Sequence, residues 1–413
     1  MNWGEEAQRR LIEISGCSTD TDGVTRFPFT AEHEAANRLI TGWMERAGLS
    51  VRMDAAGTLI GRKDGPDSAP TFLIGSHQDS VRSGGRYDGI MGVALGCLAL
   101  EKLASDGTAL PFAVEVLAFA DEEGVRFPTA LLGPRALAGT VDPAVFEMTD
   151  RAGTTLGQAL RDFGGEPASV ASLKRSPQET LGYLEIHIEQ GPVLEQAGTP
   201  LGIVTGICGI ERNSVTFTGE TGHAGTVPMA GRRDALVAAA DFIAAIDKAA
   251  RDLDGLRATI GTLSLKPDVV NAIPRLAELS LEIRDLDDAQ RAEFAQFAVR
   301  IGNEIAARSQ TGFEMVQTYR QPAVPCSAPL IERLSNAAQV EDRPAPHMPS
   351  GATHDASAMA DLCPIAMLFV RCKGGVSHTP EEFAAPEDMN AAILAAARFL
   401  AERTPIISEV LGT

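Results

Sequence analysis

The chain has 413 residues, with 36 Lys+Arg against 55 Asp+Glu and a formal net charge of −19. That length suggests two or three domains, and 44% apolar with 22% charged residues is globular composition rather than disorder. The excess negative charge excludes nucleic acid and anionic membrane surfaces as partners, because the mean field repels both.

In chain order, the opening Asn2-Trp3-Gly4-Glu5-Glu6 lacks the basic-then-apolar order of a signal peptide. Residues 31–47 read as an amphipathic helix, with Thr30 as N-cap and Gly48 just past its end. Candidate strands follow at 50–54 and 58–62. A buried run, Thr71-Phe72-Leu73-Ile74, ends at Gly75-Ser76-His77, and a glycine-dotted helix spans about 90–103. A second buried run, 112–120, stops at Asp121-Glu122-Glu123-Gly124. Continuous apolar strands alternating with helices predict an α/β fold whose mostly parallel sheet is covered on both faces. Ligands bind beyond the carboxyl ends of such strands, where both polar clusters fall.

The middle of the chain has a different rhythm: strand 210–218, helix 232–252, strand 257–265, strand 276–284, helix 287–308 and strand 312–319. This βαββαβ order resembles a ferredoxin-like unit. After Pro322 and Pro325 the first rhythm resumes, with a helix near 328–338, a buried strand 365–371 and a helix 387–402. The predicted layout is a catalytic domain, 1–207 and 322–413, interrupted by an inserted α+β domain, 208–321. The longest apolar candidate for a membrane span, Ala235 to Ile246, is broken by Asp241 and falls short of roughly 18 residues. Six scattered cysteines form no C-x-x-C pair, so a reduced cytoplasm is the expected setting and any metal should be held by His and carboxylates.

His77 and Asp79 sit at one strand end, with Asp88 in Gly84-Gly85-Arg86-Tyr87-Asp88-Gly89. Asp121, Glu122 and Glu123 end another strand; His187 lies in a third and His378 in a loop. Singly, a His or Asp at a strand end is more often a cap or a hydrogen-bonded core group. Together they could present three imidazoles and several carboxylates at one sheet edge. Adjacent carboxylates there repel unless a cation is near, and two divalent ions bridged by a carboxylate would suit them.

These segments carry a resemblance. Residues 75–80, 84–89, 121–127, 187–195, 222–229 and 377–380 resemble the allantoate amidohydrolase / N-carbamoyl-L-amino-acid hydrolase family, a branch of the dinuclear-metal aminopeptidase-aminoacylase superfamily. They run in family order along nearly the whole chain. The resemblance implies two divalent ions per subunit, zinc or manganese first and cobalt or nickel next. His77 and His187 would bind one, Glu123 and His378 the other, and Asp88 would bridge them. Asp79 would hold the second nitrogen of His77, and Glu122 would be the general base on the attacking water.

The family likeness also assigns His223 to stabilising the transition state, reaching into a partner subunit's site in a homodimer built through the inserted domain. On its own residues, without the resemblance, His223 reads first as a turn His bonded to backbone. Arg284 lies on the polar face of its strand, because Ala277, Leu279, Leu281 and Ile283 alternate with it. It is either an exposed surface Arg or a bidentate clamp on a substrate carboxylate. The likeness favours the clamp, together with Gln190 and Asn271; Gly351 and Thr353 are further expected substrate-binding residues. Thr353 and Arg275 stand where relatives usually have Gly, which bears on specificity rather than reaction type. His33, His347 and His354 read as structural or surface groups, with His354 a further pocket candidate.

The expected activity is hydrolysis of the carbamoyl C–N bond of a small anionic ureido acid, allantoate first, releasing ammonia and carbon dioxide. An N-carbamoyl-L-amino-acid hydrolase is the alternative, and an N-acyl aminoacylase or peptidase a more distant one. From a different class, a catalytically silent binding protein of the same fold would be expected to lose Glu122 or one of the five ligands, and all six are present.

Overall fold

The computed structural model describes residues 2–67, 69–340 and 343–402. The chain divides into two compact units. One holds the chain up to Thr205, Cys326–Met348 and the chain from Thr353; the other holds Gly206–Pro325 with Pro349–Ala352. The end of the expected catalytic domain, beyond 402, lies outside the described residues.

In the first unit the sheet order is Ser50–Met53, Leu59–Lys63, Ala113–Phe119, Thr71–His77, Thr180–Ile188, Ile365–Val370, Leu201–Ile207. The four strands from Ala113–Phe119 to Ile365–Val370 run parallel, and the flanking strands are antiparallel. Every residue of those four strands is buried. Successive side chains of a strand point to opposite faces, so burial without alternation requires cover on both. The helix Ile90–Ser105 lies on Thr71–His77 and Thr180–Ile188, and is itself packed by Trp3–Ser15 and Pro386–Ala401. The short helices Leu132–Ala138 and Asp355–Met359 touch each other and pack on the strands Ala113–Phe119 and Thr180–Ile188. Leu73, Val116, Leu184 and Leu368 are wholly buried, each stabilising the fold by about 1.5–3 kcal/mol relative to exposure. Parallel strands bring their carboxyl ends to one edge, which positions the site.

The second unit is antiparallel, in the order Gly312–Gln321, Gly209–Thr218, Leu276–Asp285, Arg257–Thr259, with Leu263–Lys266 also on Leu276–Asp285. Its helices, Ala235–Arg251 and Asp288–Ser309, bury Phe242, Ile246, Phe294 and Ile305 with Leu279, Leu281 and Ile283 of the sheet. The single strand expected over 257–265 is corrected to two pieces. Between them, the backbone N–H groups of Gly261 and Thr262 donate to Ser280 Oγ at 3.2 and 3.0 Å. Three residues, 260–262, face two on the partner strand. That is a bulge, stabilised by a side-chain acceptor where a carbonyl would otherwise serve. Among the described residues no helix is long and apolar enough to cross a membrane.

Candidate metal centre

The first unit gathers the candidate ligands through its strand ends. His77 is the last residue of Thr71–His77, and His187 is next to last in Thr180–Ile188. Asp121, Glu122 and Glu123 follow just after Ala113–Phe119. Asp88 arrives on the 84–89 loop, which turns at Gly89 (φ +63°), where a Cβ would lie 2.4 Å from His77 Cε1 and Nε2. Only glycine allows both that backbone and that approach. Two side-chain-bearing residues of the cluster, Gln190 (φ 56°) and His378 (φ 59°), are also left-handed. Such backbone costs about 1–3 kcal/mol per residue and persists only where the surroundings impose it.

Three imidazole Nε2 atoms converge on one buried carboxylate. His187 and His77 lie 3.1 and 3.4 Å from Asp88 Oδ1, and His378 lies 3.2 Å from Asp88 Oδ2. The Nδ1 atoms of His77 and His187 face backbone carbonyls, Asp79 O at 3.0 Å and Ile188 O at 2.9 Å. A nitrogen beside a carbonyl must carry the proton, so in the neutral rings both Nε2 atoms present lone pairs to Asp88. Lone pair against carboxylate is repulsive unless a proton or a cation intervenes. Glu123 Oε1 is buried without a hydrogen-bond partner and lies 3.8 Å from His378 Nε2, while Glu122 Oε2 is 4.0 Å from His77 Nε2.

The protonation of the cluster reflects this conflict. Burial would raise the Asp88 carboxyl, but His187 and the other two imidazoles hold it well below the usual range. Burial pushes Glu122 well above its ordinary value and Glu123 up to about 7. The hydrogen bond to Asp88 holds His378 up at about 9. Asp121, buried with both carboxylate oxygens unpartnered, is driven well above the usual range by burial and then by Asp79.

Two ligand sets share Asp88: His77–Asp88–His187 and Asp88–Glu123–His378, each with donor atoms within 4.8 Å of one another. Two carboxylates at that spacing repel by about 3 kcal/mol at an effective dielectric near 20. The set Glu185–His187–His354 is also close, but Glu185 already accepts from Ser76 Oγ and the Ala356 N–H at 2.9 and 2.8 Å. The donors fit divalent cations of hard to intermediate character. A cavity of about 540 Å³ between Val141, Phe146, Arg161 and Lys174 shares no residue with this cluster, so the chemistry, not cavity size, marks the site.

Residues 73–402 match peptidase family M20/M25/M40. The chain belongs to this family. It is 40% identical over 389 residues to an N-carbamoyl-L-amino acid amidohydrolase of Geobacillus stearothermophilus, covering 93% of this chain and 95% of that one. It is 37% identical to an allantoate deiminase of Arabidopsis thaliana, covering 96% of this chain and 82% of the relative. A solved hydantoinase/carbamoylase family amidase from Burkholderia ambifaria superposes with a TM-score of 0.90 at 30% identity, over 98% of this chain and 97% of that one. The resemblance read from the six motifs is borne out, and this M20/M25/M40 member is a hydrolase.

Other expected site residues of this M20/M25/M40 chain stand as follows. The Asp79 carboxylate accepts the backbone N–H groups of Glu122 and Glu123 at 3.1 and 3.2 Å. It lies 3.5 Å from His77 Nδ1, farther than its own carbonyl. Gln190 donates its amide to Asp88 Oδ2 at 2.8 Å. His354 is buried, edge-on to His187 with ring centroids 4.6 Å apart. His33 is buried and accepts the Phe29 N–H.

In the second unit, His223 is exposed and forms an isolated bridge with Ala272, next to Asn271. Its Nδ1 accepts the Gly225 N–H at 3.1 Å, so the neutral ring carries its proton on Nε2, as an outward donor. The Asn271 carbonyl accepts the Ala224 N–H. Arg284 donates to Glu282 at 2.7 Å and to the Gly351 carbonyl at 2.6 Å. Thr353 belongs to the first unit.

Sequence reasoning missed Glu382, a buried carboxylate that accepts the Tyr87 and Asp88 N–H groups at 2.9 and 3.0 Å and the Ser377 hydroxyl at 2.9 Å. Its only signal in the sequence was an acidic residue four positions beyond His378.

Proposed function

We propose that the chain hydrolyses the carbamoyl C–N bond of a small ureido acid at a centre holding two divalent cations. The observation that carries this is the set of three imidazoles turned on Asp88, the neutral rings of His77 and His187 presenting Nε2 lone pairs to it, with no Lys or Arg nitrogen within 4 Å of Asp88, Glu122 or Glu123 among the described residues. His77, Asp88 and His187 would hold one cation, and Asp88, Glu123 and His378 the other. The cations, when bound, activate water and polarise the carbonyl.

The remaining steps belong to this chain's side chains. Glu122, raised by burial, takes a proton from the attacking water and delivers it to the departing nitrogen. Asp79 holds the backbone of Glu122 and Glu123 in register. The outward Nε2–H of His223 is the donor for the developing oxyanion. Arg284, with Asn271, Gln190, Gly351 and Thr353, recognises the substrate; Arg284 exchanges Glu282 for the substrate carboxylate. The reaction R–NH–CO–NH2 + H2O yields R–NH2, CO2 and NH3.

Allantoate is the first substrate reading, supported by the Gly222–Met229 segment, by Gly374-Gly375 before His378, and by the Arabidopsis relative. N-carbamoyl-L-amino acids are the second, supported by 40% identity to the Geobacillus enzyme over nearly its whole length. Ammonia release should be measured on allantoate, N-carbamoyl-L-amino acids and N-acetyl amino acids side by side. Turnover of a ureido acid with none of the N-acetyl compounds is expected; the reverse overturns the reading.

We also propose that the active unit is a cytoplasmic homodimer joined through the inserted domain, with His223 serving the partner's site. Inactive Glu122→Gln and His223→Ala proteins, mixed and allowed to exchange subunits, should regain part of the activity. No recovery after demonstrated exchange contradicts the cross-subunit role.

A further inference from the structure

Glu382 is 3% exposed, yet no Lys or Arg pairs with it among the described residues. A buried carboxylate without a cationic partner is costly unless its oxygens are fully used by donors. Here they are. Oε1 accepts both Tyr87 N–H and Asp88 N–H, and Oε2 accepts Ser377 Oγ. The three donors come from two loops almost 300 positions apart in sequence, one carrying Asp88 and the other His378. Both loops are irregular: the first is pinned at its start by one isolated bridge, Gly84 with Val24, and beyond it neither has a ladder of its own.

Three further contacts belong to the same joint. A Cβ on Gly85 would lie 2.2 Å from Glu382 Oε1 and Cδ, so the second glycine of the 84–89 loop makes room for this carboxylate. The Tyr87 and Phe383 rings meet edge to face, with centroids 5.9 Å apart. Ser377 Oγ is also 3.2 Å from Asp88 Oδ2. A hydroxyl has one proton, and the shorter contact, 2.9 Å to Glu382, takes it.

We propose that Glu382 is the positioning residue that ties the Asp88 loop to the His378 loop and thereby builds the Asp88–Glu123–His378 cation set, leaving His77–Asp88–His187 to the strands. This rests on the two-cation reading above. Glu382 touches neither substrate nor cation; it acts through the backbone of Asp88 and through Ser377. Apart from the shared Asp88, the two sets depend on different supports. His77 and His187 are anchored in buried strands, whereas His378 stands on a half-exposed loop in left-handed backbone.

The test uses the full chain and two readouts. In metal-free protein, amide hydrogen exchange of Tyr87 and Asp88 should accelerate about 10- to 100-fold in Glu382→Ala, as for a lost charge-assisted hydrogen bond. Glu382→Gln should stay near wild type, because its Oε1 still accepts both amides while its Nε2 donates to Ser377. In manganese titrations, Glu382→Ala should lose much more affinity for one of the two ions than for the other. Should Glu382→Ala fail to fold, Ser377→Ala serves instead: the Tyr87 and Asp88 amides remain protected, while one ion still binds more weakly. Unchanged exchange in Glu382→Ala, or equal weakening of both ions in either variant, overturns the proposal. A wild-type chain that binds only one manganese overturns the two-cation reading, and the proposal with it.

Discussion

Both units set acidic and basic side chains close together, and they settle the charges in opposite ways. In the second, Glu282 lies 2.7 Å from each of Arg212 and Arg284, on a face open to solvent. Such pairs are worth about 0–1 kcal/mol and need nothing from outside the chain. In the first, Asp88, Glu122 and Glu123 are withdrawn from solvent, and among the described residues the only basic groups they face are imidazoles. A paired surface row can be finished by the fold alone. A buried set of carboxylates opposite imidazole lone pairs is finished only by an incoming positive charge.

The contrast breaks most severely at Asp88. Asp88→Ala should remove the group shared by both ligand sets, abolishing turnover and lowering metal content below that of wild type by elemental analysis. Two full equivalents in that variant contradict the shared role. Glu122→Gln should keep the metal and lose about 10²- to 10⁴-fold in kcat, the usual worth of a positioned acid–base group. Near-native turnover removes Glu122 from the mechanism.

Chelation should make the first unit depend on protons. Burial raises Glu123 from 4.5 to about 7, so the folded state binds that proton more tightly than the unfolded state. Its contribution is full below pH 4.5 and lost as pH rises through about 7. His378, raised from 6.5 to about 9 by Asp88, contributes fully below pH 6.5 and loses that contribution as pH rises through about 9. The melting temperature of chelated protein should therefore fall across this range relative to metal-loaded protein. Parallel pH profiles with and without chelator contradict this.

The second unit should respond more mildly. Arg284→Lys should raise KM by about 10- to 100-fold through loss of bidentate carboxylate contact, with metal content unchanged. Arg212→Ala, which leaves Glu282 paired with Arg284, should cost at most about 1 kcal/mol in denaturant unfolding.

The parallel strands were legible because burial on both faces leaves uninterrupted apolar runs, as in Thr71–His77 and Ala113–Phe119. The alternation of Leu276–Asp285 revealed its polar face and hence the side on which Arg284 lies. The bulge at 260–262 was not legible, because it depends on Ser280 of a strand nearly twenty residues away. His77, Glu123, His187 and His378 could be found because strand ends and short polar motifs mark them. Glu382 could not: its role consists of accepting backbone N–H groups, and any residue type can supply those. Nor does spacing reveal that the Asp79 carboxylate serves the Glu122–Glu123 backbone while its carbonyl faces His77.

The central claim is that the buried cluster works only with cations supplied from outside. Strip the chain of metal, confirm by circular dichroism that it remains folded, and titrate manganese back while following ammonia release from the preferred ureido acid. Activity should be absent at the start and reach its maximum at two equivalents per chain. Full turnover by the stripped chain, or a maximum reached at one equivalent, would contradict the account.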